Sequence, residues 1–332
     1  MISSGSNTAF SALSFIGVIL TLIPLPWHLQ SWNAGTCMYT MWTSFGCLIL
    51  FINSVVWKDN VINWAPVWCD IASHYLIGAS TGIPASSLCI VRQLFRITKL
   101  ETLSQERNDK WREICIDLLI GVGFPCLVTT LYYVVQGHRF NIYEQIGCWP
   151  VTYLTILGYF LVFMWPTAIG MISMVYAVLT FRQALIHRQK LKAMLQSSHN
   201  ITTGHYCRLM VLCMVEVAFT VPLGIYNMVL DSGADELQPY ISWENVHFDF
   251  SYVGQYPAVA WQSSPETALS LESSRWFCVL CALIFFMFFG WSREIREGYY
   301  HAFQTLVCNV GLRSVQSASK NTPDRCVSSY IY

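Results

Sequence analysis

The chain has 332 residues, 54% hydrophobic and only 11% charged, and its 19 basic and 19 acidic side chains cancel to a formal charge of zero. A soluble domain carries roughly 25% charge, so these proportions leave too little polar surface to face water everywhere and require lipid to cover part of the chain. Zero net charge offers no electrostatic footprint for phosphate, which sets nucleic acid aside as a partner.

A helix crossing a bilayer needs roughly 20 mostly apolar residues. The opening of the chain carries no Asp, Glu, Lys or Arg before Lys58. It therefore lacks the basic segment of a cleavable signal, and its first apolar run reads as a retained span. Residues 10–29 and 37–57 make two spans, parted by the polar stretch His28, Gln30, Ser31, Asn33 and Gly35. Residues 71–91 make a third, 114–136 a fourth with Asp117 near its start, 153–181 a long fifth, and 209–230 a sixth interrupted by Glu216. The run 276–291 is short for a seventh and needs 270–275 to complete it.

Orientation follows from the basic residues, which are retained on the cytosolic side during insertion. The segment 92–113 holds six, 182–208 holds five and the tail after Trp291 holds five, against Lys58, Arg139 and Arg275 elsewhere. Sixteen against three places those segments inside only if the spans number seven. The expected fold is thus an all-α, polytopic bundle of seven transmembrane helices with the N-terminus outside and the C-terminus cytosolic. Residues 1–291 form one membrane domain and 292–332 a cytosolic tail. The Asn200 sequon then lies inside and stays unglycosylated.

The longest outer connection, 231–271, carries six carboxylates, no Lys or Arg, and the aromatics Tyr240, Trp243, Phe248, Phe250, Tyr252, Tyr256 and Trp261. So many aromatics predict a loop folded over the helix mouths. Past the seventh span, Arg293 to Val307 has the pattern of an amphipathic helix on the inner leaflet, and Cys308 is either a palmitoylation site or a plain reduced thiol. Cys69 and Cys148 both fall on the oxidising side, where a disulfide would staple the second outer loop across the mouth. Proline interrupts four spans at Pro84, Pro125, Pro166 and Pro222, and Pro222 is either a hinge for the cytosolic half of span six or a static kink.

Ionisable groups at membrane depth are functional candidates by default. Asp70 and His74 lie four apart on one helical face at the outer end of span three, which suits ligand contact, or Asp70 simply favours the helix N-terminus. Asp117 is expected to pair with Lys110 or Arg112, and Glu216 to make a contact between helices. No HExxH, GxSxG, P-loop or metal-spaced cluster occurs, so no enzyme, metal or cofactor is expected.

Several stretches resemble a known family. Pro24 to Trp32 reads PLPWHLQSW and is followed by Asn33, then Asn53 and Trp57, then Trp64 and Pro66, WCDI from Trp68 and GIPASSLCIVRQL from Gly82. Gly147, Cys148 and Trp149 follow, and WENVHFDFS from Trp243. These resemble fungal receptors for farnesylated lipopeptide mating pheromones, which are seven-span, G-protein-coupled receptors of the a-factor type. The resemblance implies a secreted farnesylated peptide pheromone as ligand, a heterotrimeric G protein as partner and a mating kinase cascade downstream, in a multi-pass protein of the plasma membrane.

On that reading Asp70, His74, Trp149, Trp243, His247 and Phe248 are the candidate ligand contacts. Arg92, Arg96, Arg182, Arg188, Lys190, Lys192 and Arg208 line the face toward the G protein, although membrane topology and attraction to anionic lipid explain the same cations. The competing reading is a transporter or channel with Glu216 and His74 on its pathway.

Overall fold

The computed structural model describes residues 4–30, 32–99, 107–186, 203–234 and 238–290. The tail, Arg188, Lys190, Lys192, the Asn200 sequon and Cys308 lie outside them, as does the side chain of Glu216. Seven long helical stretches make a bundle, and six of them are long and apolar enough to cross a bilayer: Ser6–Gln30, Ala34–Val56, Lys110–Val135, Ile156–Ile186, Tyr206–Tyr226 and Pro265–Phe289. The remaining one, Pro66–Thr98, has 33 residues and rises about 50 Å. It is more polar because other helices cover it: from 77 to 91 every residue except Ser80 is buried. A helix surrounded by protein has no need of an apolar face toward lipid. Its Ile83, Leu88, Ile90, Val91 and Leu94 form the middle of the main core, with Tyr39 and Leu50 of span two, Ile169 of span five, Leu209 and Leu212 of span six, and Phe285 of span seven.

Most spans are longer than the apolar runs that announce them. The seventh illustrates why: Pro265–Phe289 has 25 residues and absorbs Glu272 and Arg275, which bond to each other. Ser264 caps its start by accepting a hydrogen bond from the Thr267 N–H.

Two prolines leave matching marks. Leu119–Gly123 before Pro125 and Tyr159–Phe163 before Pro166 are single π-helical turns. Proline has no N–H for the carbonyl four residues earlier, so the backbone widens there. In span four the freed Gly121 carbonyl accepts from Trp42 Nε1 at 2.8 Å. The Trp42 indole lies so close over Gly82 that a Cβ there would fall 2.4 Å from its ring. Helix Thr203–Ala234, by contrast, runs unbroken through Pro222.

The chain starts and ends its membrane domain at opposite ends of the bundle. Asn7 donates to the Ser54 carbonyl at the close of span two, whereas Phe289 packs edge-on against His28 at the close of span one. An odd number of crossings follows. At the end holding Asn7, the connections add a three-stranded sheet to an otherwise helical fold: Phe140–Tyr143 (β1) pairs antiparallel with Gly147–Trp149 (β2) and parallel with Val253–Tyr256 (β3).

Candidate ligand-binding mouth

The sheet is fastened to the bundle by residues from several helices. Cys69 of span three and Cys148 of β2 are disulfide-bonded. Asn53 of span two donates from Nδ2 to the Cys148 carbonyl at 3.1 Å and accepts from Trp68 Nε1 at 2.9 Å. Gly147 sits against Asn53 with φ of 86°, where a Cβ would meet the Asn53 side chain at 2.5 Å, so glycine is required twice over. Trp57, fully buried, accepts at its carbonyl from the Gln145 N–H at 2.8 Å.

A buried cation joins the first and seventh spans to this hairpin. Arg275 is 1% exposed and donates to both Glu272 oxygens, to Asn7 Oδ1 at 3.3 Å and to the Gln145 carbonyl at 3.1 Å. Its guanidinium also lies 4.3 Å from the Phe10 ring centre. A guanidinium is tolerated at such depth because each face of its fork is satisfied.

The connection between spans six and seven divides into two parts. Residues 253–264 cover the mouth: β3 extends the sheet, Trp261 donates from Nε1 to the Glu144 carbonyl at 3.1 Å, and Trp261 packs with Ile146 and Leu271. Trp149 lies beneath this cover, against both that cluster and the main core. Burial pushes the Tyr143 phenol up from its ordinary range, and its ring stacks on Tyr256 at 5.0 Å. Residues 240–252 instead reach sideways over the end of span four. Trp243 and His247 stack at 4.0 Å, both within 5.7 Å of the Tyr133 ring, and His247 Nε2 lies 2.9 Å from the Tyr133 carbonyl. Among the described residues of the acidic loop, 253–264 therefore cover the mouth and 240–252 do not.

Asp70 and His74 join this lateral group. Both Asp70 oxygens accept from Arg139, from Nε at 2.8 Å and Nη2 at 2.5 Å. Those hydrogen bonds hold the Arg139 guanidinium above its ordinary range. The Arg139 N–H in turn donates to the Phe250 carbonyl, and the Phe250 ring meets His247 and Tyr133. His74 turns Nδ1 to the Asp70 carbonyl at 2.8 Å and its ring edge to Tyr132. Phe248 is 84% exposed. Asp70, His74, Trp243, His247 and Phe248 thus share one neighbourhood, and Trp149 occupies another. Arg139 and Arg275 were not among the candidates drawn from the sequence; Arg275 shows itself only as an i,i+3 partner of Glu272.

The far end of the bundle carries Arg92, Arg96, Arg182 and Arg208. Asp117 pairs with Arg92 at 2.7 Å, across to span three, rather than with Lys110 or Arg112. Arg92 also reaches Glu113 at 2.9 Å, and Arg96 pairs with the same carboxylate. The fork of Arg92 matches two carboxylates one helical turn apart on span four, which neither residue on Asp117's own helix can do. Arg182 is exposed and Arg208 half-buried. Tyr206 and Thr98 meet hydroxyl to hydroxyl at 3.1 Å, joining spans three and six.

Among the described residues no group of His, Cys, Asp or Glu has the arrangement to hold a metal ion.

Comparison with known proteins places this architecture. The family model described as pheromone A receptor matches residues 9–309, which takes in all seven spans. The chain is 44% identical over 303 residues to the pheromone B alpha 3 receptor of Schizophyllum commune, covering 91% of this chain and 48% of that receptor. It is 34% identical to pheromone receptor 1 of Mycosarcoma maydis over 94% of this chain and 87% of that one. To the pheromone a factor receptor of Saccharomyces cerevisiae it is 23% identical, over 88% and 61%. The chain spans about half the length of the Schizophyllum commune relatives it matches. With seven helical crossings and a match over nearly its whole length, the chain is a multi-pass membrane protein and belongs to the pheromone A receptor family.

Proposed function

We propose that this protein is a G-protein-coupled receptor of the plasma membrane for a secreted, farnesylated peptide mating pheromone, with the sheet-bearing end outside. The observation that carries the reading is the family match across all seven spans. The charge distribution supports the orientation: Arg92, Arg96, Lys110, Arg112, Arg182 and Arg208 share the end opposite the sheet.

The ligand enters at the neighbourhood of Asp70, His74, Trp243, His247 and Phe248, with Trp149 deeper. Aromatic faces pack an isoprenoid, and the Asp70–Arg139 pair offers charge of either sign to the peptide's polar groups. A farnesyl group has fifteen carbons, and at about 0.8 kcal/mol per buried CH₂ it dominates affinity, leaving specificity to peptide contacts. Binding shifts the bundle only by differential affinity for two states, and in the active one the inner ends of spans five and six move apart about Pro222. Arg182 and Arg208, with Arg188, Lys190 and Lys192 of the same connection, then meet a heterotrimeric G protein that feeds a mating kinase cascade.

The test is expression in yeast lacking its own pheromone receptors, with a mating-pathway reporter and a panel of synthetic farnesylated peptides. A response to at least one peptide, lost with its non-farnesylated form, is expected. Surface-expressed protein that answers none of a panel spanning the compatible mating types would overturn the reading.

A further inference from the structure

We propose that the surface formed by the turn joining spans one and two and the start of span four binds the headgroup of an anionic phospholipid. Four observations meet there. Trp32 and Trp111 pack edge to face at 6.1 Å, yet are 68% and 51% exposed, so two indoles are held together and still shown to the surroundings. Trp111 is flanked by Lys110 and Arg112, both exposed. Neither cation pairs with a carboxylate among the described residues, whereas Arg92 and Arg96 at the same end are taken up by Glu113 and Asp117. Finally, Trp32 has φ of 54°.

That last value is the most informative. The left-handed region at a helix end is ordinarily filled by glycine, and a bulky side chain there is an outlier. Here the Trp32 N–H donates to the Leu29 carbonyl, and Asn33 immediately caps span two by accepting from the Thr36 N–H. The turn is fixed on both sides, so the largest side chain occupies the position that least suits it and is aimed at Trp111. Observed strain points to a use for the side chain it displays.

The chemistry selects the occupant. Indoles settle at headgroup depth because one edge is apolar and the N–H is polar. Two cations beside them, without a carboxylate partner among the described residues, complement a phosphate ester carrying further negative charge, and a zwitterionic headgroup satisfies them less well. A protein partner would bring carboxylates but no acyl chains to cover the indole faces and the neighbouring Leu29, which is 58% exposed.

The experiment uses the full chain in nanodiscs of phosphatidylcholine, with or without a minority of phosphatidylserine or phosphatidylinositol phosphate. Thermal stability and the lipids retained in native mass spectra are the readouts. The unmodified protein is expected to retain anionic lipid and melt higher in its presence. Lys110→Gln with Arg112→Gln should weaken that retention roughly twenty-five-fold, since each cation near an anionic surface is worth a factor of about five. Lys58→Gln, at the opposite end, should leave it unchanged. Trp32→Gly separates binding from architecture: it relieves the backbone, so stability in pure phosphatidylcholine holds or rises while the anionic increment falls. Equal retention by the unmodified protein and Lys110→Gln/Arg112→Gln, or equal stabilisation by phosphatidylcholine alone, would refute the site and leave an ordinary aromatic belt. Unchanged lipid retention with lost nucleotide exchange on an added G protein would refute it in favour of a protein contact.

Discussion

The two ends of the bundle are held by different means. At the sheet end a disulfide, a buried Arg275 hydrogen-bonded to three residues, and a sheet drawn from two connections tie the helices together. At the opposite end, among the described residues, spans three and four are joined by ion pairs around Arg92, and spans three and six by one pair of hydroxyls. Covalent and fully buried links change little with small forces, whereas partly exposed ion pairs exchange partners readily. A bundle so built is held more firmly at the sheet end than at the other, which suits the receptor function proposed above.

Breaking the sheet end should give the largest effects. Cys69→Ala or Cys148→Ala opens a link between residues 79 apart and should cost about 4 kcal/mol. The expected outcome is loss of surface protein, read by an N-terminal epitope on intact cells, and full surface display would show that the sheet stands without the bridge. Arg275→Met is next: it leaves Glu272, whose side chain is only 14% exposed, without its cation and should cost about 3 kcal/mol in thermal unfolding. Adding Glu272→Leu should recover much of that loss. If the double variant is no better than the single, the cost lies in the Asn7 and Gln145 contacts and not in the stranded carboxylate.

The contrast between the ends also marks what was legible from residues alone. The number of spans and the parity of the chain are written in lipid-scale hydrophobic runs and in the lopsided placement of Lys and Arg, both properties of composition along the chain. Span three is legible despite its polarity because its uncharged run is long. Pairings are a different matter. Asp117 finds Arg92, 25 residues earlier on another helix, and Asp70 finds Arg139, 69 residues later, so local spacing points to the wrong partner for one and to none for the other. The strands are three or four residues long and too short for an alternating pattern, and β1 and β3 come from connections over a hundred residues apart. The aromatic loop could be recognised as folded, but its division into a cover and a lateral arm depends on β3 and on Tyr133, which composition does not reveal.

At the opposite end, Asp117→Asn should have an intermediate effect. Arg92 and Asp117 have side chains only 17% and 11% exposed, so removing one charge leaves a guanidinium with Glu113 alone, which Arg96 already shares. A cost of about 2 kcal/mol is expected, from a partner left poorly compensated at partial burial. If these pairs hold the resting arrangement, the same variant should raise reporter activity without pheromone. Lower stability with unchanged basal signalling would mean that the network supports the fold but not the balance between states.

The smallest effect belongs to Asp70 and Arg139, and it is the most telling for the ligand. Their side chains are 33% and 35% exposed, so solvent screens the pair and Asp70→Asn should cost at most about 1 kcal/mol of stability. Its effect on signalling should nevertheless be clear, because both oxygens that would meet a ligand are the ones Arg139 now occupies. A peptide cation has to displace Arg139 to reach them, whereas a peptide carboxylate would take Arg139 and release Asp70. The two single variants distinguish these routes. Weaker response in Asp70→Asn with a normal or stronger one in Arg139→Gln indicates capture of a cation by Asp70, and the reverse ordering indicates capture of an anion by Arg139. Equal dose–response curves in both, at matched surface expression, would show that the pair only holds the lateral arm in place and that recognition rests on the aromatic side chains around Tyr133.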